Sequence, residues 1–306
     1  MGDKIKIAFA YKAYPLTMAN YFRRALERRE DVELFTLGEF FGQFIPWNGG
    51  MTISEKYRNF VDLPLPTGMD KVSWGMIKDQ LPWVPDLVLN VDAGFHFSTK
   101  PDVPYAVVAT DPHVLGGWYD QVRPKTDYFF NMQPSYLKEG DYLLPYAFDP
   151  TCHYQEPSEK IYDCSIVGLH YPQRDEWVSR LRGLGIKVNY RIGDIYDEYR
   201  EENNKAWIGL NWSSLQDVTA RVFEIMAMGL VPILNRLPGL DFLGFEEGKH
   251  YLGFSTMDEA VEKVQWAIAN KILAEKIAEQ AHQFVNINGM TWDNRVNKIL
   301  SVVGKI

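Results

Sequence analysis

The chain has 306 residues, a formal net charge of −8 at pH 7 and a sequence isoelectric point near 5.3. That balance argues against a broad electrostatic footprint for nucleic acid, leaving only a local basic groove open. Two cysteines, Cys152 and Cys164, are too few for a disulfide scaffold and lack metal-ligand spacing, and no apolar run reaches the ~18 residues of a membrane span.

The length suits two domains of about 150 residues each. The start, MGDKIKIAFAY, enters a strand pattern directly and lacks the plan of a signal peptide. A cytoplasmic protein with reduced thiols is the expectation. Ile5, Ile7 and Phe9 open the first strand, and a helix from about Met18 to Arg29 and a strand from Val32 to Thr36 follow. This order begins a doubly wound α/β sheet. The intervening loop, YKAYPLT, occupies the usual ligand position of such folds without a GxG, so a Rossmann dinucleotide fingerprint is absent. Its Tyr11, Lys12 and Tyr14 are candidate acceptor contacts.

Residues 38–72 are rich in Gly, Pro, Phe and Trp. They read either as a surface excursion with its own small cluster or as an acceptor-side lid. A helix is predicted over Val72–Gln80, then buried strands over Leu87–Val91 and Tyr105–Ala109. Polar residues end both strands: Asn90, Asp92 and Gly94 after the first, Thr110, Asp111 and His113 after the second. Asp92 joins the acceptor candidates. Asp111 and His113 are candidates for a general base or an acceptor contact, against the plainer reading of a capping Asp and an exposed His. Tyr128–Asn131 and Leu143–Pro145 close this half. Asp149–Lys160, polar and proline-containing, reads as the interdomain linker.

A second Rossmann-like unit is predicted beyond it. Strands run over Tyr162–Val167, Lys187–Tyr190, Ala206–Asn211 and His250–Phe254, with a helix from Gln173 to Leu184 between the first two. Gly168, His170 and Arg174 follow the first strand. A glycine admits a diphosphate close to the backbone and an arginine can bind it bidentately, against a plain turn with a solvated Arg. Ser213–Leu234 reads as a polar loop, a helix bearing Arg221 and Glu224 and ended by Gly229, and a buried strand. The loop residues Ser213, Ser214, Gln216, Asp217 and Thr219 supply N-cap chemistry. A charged pair near a helix start beside buried strands is costly unless it binds something. Against that, an acid on an amphipathic helix is usually only solvated. Helices over Met257–Ala269, Leu273–Asn286 and Trp292–Val303 finish the chain.

The runs YDCSIVGLHYPQRDEWVSRLRGLGIKV, TARVFEIMAMGLVPIL and AEQAHQFVNINGMTWDNRVNKIL together resemble the CgeB-type glycosyltransferases. These are the spore-maturation-protein-like branch of the glycosyl-transferases-group-1 superfamily, with the GT-B fold. The resemblance covers most of residues 160–300. It implies an α/β chain of two Rossmann-like domains facing each other across a cleft: 1–150 for the acceptor and 151–306 for a nucleotide sugar, the last helix crossing back.

It further implies that Glu224 holds the donor ribose, while the helix start at Thr219, Ala220 and Arg221 faces the diphosphate. Gly168, His170, Gln216 and Asp217 complete the implied donor site. Many retaining relatives carry a second acid eight residues before the first. Here that position is Gln216, with Asp217 beside it. The implied activity is transfer from a UDP-linked sugar to a hydroxyl acceptor. No cofactor or metal is called for, since no DxD constellation is placed to hold one. Arg174 or Arg221 would stabilise the leaving diphosphate, and Asp111 or His113 would activate the acceptor. Three rivals remain. One is a non-catalytic nucleotide or sugar-binding scaffold, and another an epimerase or phosphorylase on the same fold. The third is a transferase acting on a nucleic-acid base through a groove containing Lys12, Arg23 and Arg24.

Overall fold

The structure is a computed structural model that describes residues 4–46, 50–69, 71–91 and 94–306. It divides into two compact units, one of residues 1–145 and 292–306 and the other of residues 146–291. The first holds a seven-stranded sheet built from β1 (Ile5–Ala10), β2 (Val32–Glu39), β3 (Leu63–Leu65), β4 (Leu87–Val91), β5 (Tyr105–Ala109), β6 (Tyr128–Asn131) and β7 (Tyr142–Leu143). Every pairing is parallel and the spatial order is β7-β6-β5-β4-β1-β2-β3. Strands β4 (LVLNV) and β5 (YAVVA) are buried along their whole length. Such unbroken burial follows from a parallel sheet covered on both faces.

Strand direction reverses its chain order between β1 and β4, which makes their carboxyl ends the topological switch point of this sheet. At the end of β2, Gly38 has φ +147°, and a Cβ there would collide with the carbonyl oxygen of Tyr11. Only glycine lets β2 run this close to the turn that follows β1.

Helix α1 (Ala19–Glu27) covers this sheet, and the chain's last helix belongs to the same unit. Trp292 is fully buried, its ring stacked 5.8 Å from Tyr21 and tilted 5.0 Å from Phe22 on α1. Arg28 adds a bidentate ion pair to Asp293. The unit boundary falls at Pro145 rather than near residue 150. The expected linker is folded into the second unit: Asp149, Cys152 and His153 are buried, and Asp149 Oδ1 accepts hydrogen bonds from the amide and hydroxyl of Thr151. Its polar residues satisfy one another in a tight turn, which composition alone does not distinguish from a solvated linker.

Other departures have similar causes. The 38–72 stretch supplies the edge strand β3, pinned by Asp62 Oδ2, which accepts from both the amide and the hydroxyl of Thr36 at 2.7 Å. The helix expected over Val72–Gln80 shrinks to α2 (Trp74–Ile77) and a single 3₁₀ turn. Two helices carried no apolar period. One is α3 (Pro112–Val122), which contains Gly116 and Gly117 and kinks at Leu115. The other is the polar α5 (Tyr196–Asn204).

The second unit contains a five-stranded parallel sheet: β8 (Tyr162–Gly168), β9 (Val188–Ile192), β10 (Ala206–Asn211), β11 (Val231–Asn235) and β12 (Leu252–Phe254), in the order β9-β8-β10-β11-β12. Its switch point lies between β8 and β10. Helices α4 (Pro172–Gly183), α5 (Tyr196–Asn204), α6 (Ala220–Ala227), α7 (Met257–Ala269) and α8 (Lys271–Ile287) complete the unit, and α9 (Trp292–Val302) is the helix assigned above to the first. A core of Trp177, Leu181, Ile208, Ile233, Val264 and their neighbours fills one face of the sheet. Among the described residues no helix is long and apolar enough to cross a membrane.

Candidate functional site

The carboxyl ends of β8 and β10 bring two arginines together in the second unit. Gly168 ends β8 with φ +152°, and a Cβ there would collide with Arg221 Nη2 and crowd Arg174 Nη1. Two guanidiniums therefore lie against one glycine, where any side chain would displace them. Arg174, in the first turn of α4, is 8% exposed and donates to the Leu169 carbonyl. Burial, reinforced by the charge of Arg221, presses its pKa down to about 9. Arg221, in the first turn of α6, donates to Asn211 Oδ1 at 3.3 Å. Among the described residues neither arginine is ion-paired with a carboxylate. Ile166, Trp177, Leu210 and Trp212 wall a small cavity beside them.

The loop into α6 is built rather than loose. Ser213 exchanges two backbone hydrogen bonds with the Asn235 side chain at 2.9 and 3.1 Å, and its hydroxyl bonds Asp217, whose amide in turn donates to it at 3.2 Å. This geometry leaves Gln216 exposed in the left-handed region at φ +59°. Thr219 is the N-cap residue of α6, but its side chain makes no cap hydrogen bond, contrary to the expected N-cap chemistry. Its hydroxyl instead accepts from Asn211 Nδ2 at 3.5 Å. The Val222 amide donates to the Thr219 carbonyl at 3.2 Å, which leaves the amides of Ala220 and Arg221 ahead of it for an anion. One turn on, Glu224 is 8% exposed, with Oε1 3.7 Å from His153 Nε2. His153 Nδ1 accepts from the Asp149 amide at 3.0 Å, so the ring turns an Nε2–H towards the carboxylate. His170 is exposed and pairs with Asp175 at 2.7 Å, which Tyr190 also engages at 2.8 Å. Its ring is committed to the surface of α4.

In the first unit the predicted acceptor contacts fare differently. Tyr11 has no exposed surface, and its hydroxyl donates to the Phe60 carbonyl at 3.3 Å. Burial pushes its pKa up to about 12. It is a core residue rather than an acceptor contact, because a loop following a buried strand begins while still inside the core. Lys12 lies over Gly94 and pairs with the buried Glu39 at 2.9 Å. Tyr14 is half-buried, its carbonyl accepting from Asn20 Nδ2 at 3.2 Å. Asp92 lies outside the described residues. Asp111 occupies the N-cap of α3, but its carboxylate makes no cap hydrogen bond; its carbonyl accepts from Val114 and Leu115. His113, expected to be exposed on the plainer reading, is half-buried in the first turn of α3 with its ring 5.9 Å from that of Tyr136.

Four residues of the second-unit site escaped sequence reasoning. Tyr199 sits in the polar run of α5 and His153 in the supposed linker, and neither position carries a pattern. Asn211 and Asn235 did carry a signal, since each ends an apolar strand with a buried polar residue at the sheet's carboxyl edge.

Residues 154–301 match the profile of the family described as "Glycosyl transferase-like". No curated protein matches the sequence. Among solved structures, the chain is similar to the Anabaena HepE protein in complex with UDP and glucose, at 11% identity and a TM-score of 0.67 over 99% of this chain and 100% of that one. It is also similar to an alpha-glucosyltransferase in complex with UDP and a 13-mer DNA, at 12% identity and a TM-score of 0.65 over 99% and 100% of the two chains. Sucrose-phosphate synthase from Thermosynechococcus elongatus follows at 11% identity and 0.62 over 98% of each. The chain has the GT-B fold of two Rossmann-like domains, and residues 154–301 are similar to the glycosyl transferase-like family.

Proposed function

We propose that the protein transfers a sugar from a nucleoside-diphosphate sugar, UDP-linked, to a hydroxyl acceptor. The observation that carries this reading is the pair of guanidiniums of Arg174 and Arg221. Held against Gly168 at a switch point with no carboxylate between them, they ask for an anion. The uncapped start of α6 adds amide donors, and Glu224 one turn later offers a carboxylate to vicinal ribose hydroxyls. Cations, then amides, then an acid suit a diphosphate joined to a ribose. As the glycosidic bond breaks, charge grows on the leaving diphosphate, and preorganised donors stabilise it most at that moment. The arginines supply the charge a metal ion would otherwise bring. In the first unit, Asp111 and His113 at the carboxyl end of β5 are the proposed acceptor-activating groups.

UDP as the nucleotide, the CgeB-type branch and a retaining outcome are the narrower parts of the reading. The relatives crystallised with UDP support the first, and the family resemblance supports the other two. Of the groove named for the nucleic-acid alternative, Lys12 pairs with Glu39 and Arg23 with Glu27. The test is a panel of UDP, GDP and dTDP sugars by thermal shift, followed by assay of donor hydrolysis and product anomeric configuration. A ligand at 100 times its Kd stabilises by about 2.7 kcal/mol, so the right donor raises the melting temperature by several degrees. No shift with any donor overturns the reading, and binding without hydrolysis favours the scaffold. Turnover persisting in EDTA is expected, and its loss removes the metal-independent mechanism.

A further inference from the structure

Two polar groups beside the proposed ribose acid are buried without hydrogen-bond partners. Tyr199, on α5, is 6% exposed, and its hydroxyl is buried without a hydrogen-bond partner. Arg221 Nε is likewise a buried donor without an acceptor. Glu224 faces His153 at 3.7 Å, too long for a hydrogen bond. The Tyr199 ring is seated against His153, edge to face with centroids 5.7 Å apart, and so is fixed beside the same carboxylate. Burial first, and then the Glu224 charge, drive its pKa upward, while the Arg221 charge opposes them; the phenol is thus neutral and keeps its proton to donate. Buried polar groups without partners are rare, and each one asks for an explanation.

We propose that Tyr199 is a positioning residue of the donor site: when nucleotide binds, its hydroxyl accepts from Arg221 Nε–H and donates to the Glu224 carboxylate. The relay ties the diphosphate cation to the ribose acid, so each is aligned by the other's ligand. His153 faces the same carboxylate at 3.7 Å, its proton held on Nε2 by the Asp149 amide. In the free protein Glu224 and Arg221 already face the Tyr199 hydroxyl without completing a bond to it, and donor binding closes the relay. This inference rests on the donor-site reading above.

The test is calorimetric titration of wild type and Tyr199→Phe with UDP and with inorganic diphosphate, which has no ribose. The expected result is about tenfold weaker UDP binding by the variant, diphosphate binding within about twofold of wild type, and a melting temperature no lower than wild type. Wild-type affinity for UDP in Tyr199→Phe overturns the inference, as does an equal loss for both ligands, which marks a structural role. If wild type itself does not bind UDP, it is the donor-site reading that has failed. A second measurement needs no ring replacement: 3-fluorotyrosine placed at position 199 is expected to shift its resonance on addition of UDP but not of diphosphate. A resonance unmoved by UDP also overturns the inference.

Discussion

Replacing Glu224 by Gln removes one charge and almost no volume, so it isolates the carboxylate. The side chain lies on α6 with 8% of the residue exposed, in surroundings where a charge-assisted hydrogen bond is worth about 1.5–3 kcal/mol. A glutamine retains one carbonyl acceptor, so the loss corresponds to one such bond rather than two. At 1.4 kcal/mol per decade, UDP affinity is expected to fall by about 10- to 150-fold. The fold itself stands to lose little, because the 3.7 Å approach of His153 is too long to be a hydrogen bond. The assay is a cycle: wild type and Glu224→Gln, each titrated calorimetrically with UDP and with 2′-deoxy-UDP. If the carboxylate holds the ribose, wild type discriminates between the nucleotides and the variant does so at least fivefold less. Identical discrimination by both proteins would refute the ribose role, whatever the absolute affinities.

Arg221→Met is expected to weaken UDP and diphosphate alike by about 100-fold. It should also leave the free protein's melting temperature unchanged or slightly higher, since the charge that helps press down the Arg174 pKa is gone; a lower melting temperature contradicts the repulsion argument. Trp292→Ala empties the seat between Tyr21 and Phe22, and a loss of about 3–5 kcal/mol is expected for the first unit. Denaturant titration reads it, and a loss under 1 kcal/mol would show that α9 is not held there. The Glu259 carboxyl is held down to about 2 from its ordinary 4.5, first by Arg236 and next by the Ser255 amide. A depressed carboxyl contributes stability that is present above the ordinary value and lost as pH falls towards 2. Glu259→Gln should therefore flatten the acid limb of the stability profile between those values, and an unchanged limb removes this ion pair from the account.

Much of the architecture was legible because burial and period coincide. Continuous apolar runs such as LVLNV and YAVVA have one stable home, a parallel sheet covered on both faces, and their bounds in the structure match those read from the chain. The same is true of Met257–Ala269, whose apolar stripe and acidic first turn mark it as a helix in isolation. In the site, Gly168, Arg174, Arg221 and Glu224 could be singled out because each is a residue type out of keeping with its surroundings.

What could not be read locally are the groups whose burial is polar. Helix α5 shows no apolar stripe because its inner face is Tyr199, Arg200, Asn203 and Asn204, the last three of which are satisfied by partners such as Ser165 Oγ at 2.8 Å from Asn203 and Glu156 at 2.8 Å from Arg200. His153 resembles part of a linker until the Asp149 turn closes around it. Tyr11 resembles a loop residue until Phe60 covers its hydroxyl. Sequence by itself thus determined where backbone must be apolar and periodic, and which residues break that rule. Which polar side chains end up facing one another was decided only in the tertiary structure, because a hydrogen bond between distant residues leaves no period in either segment.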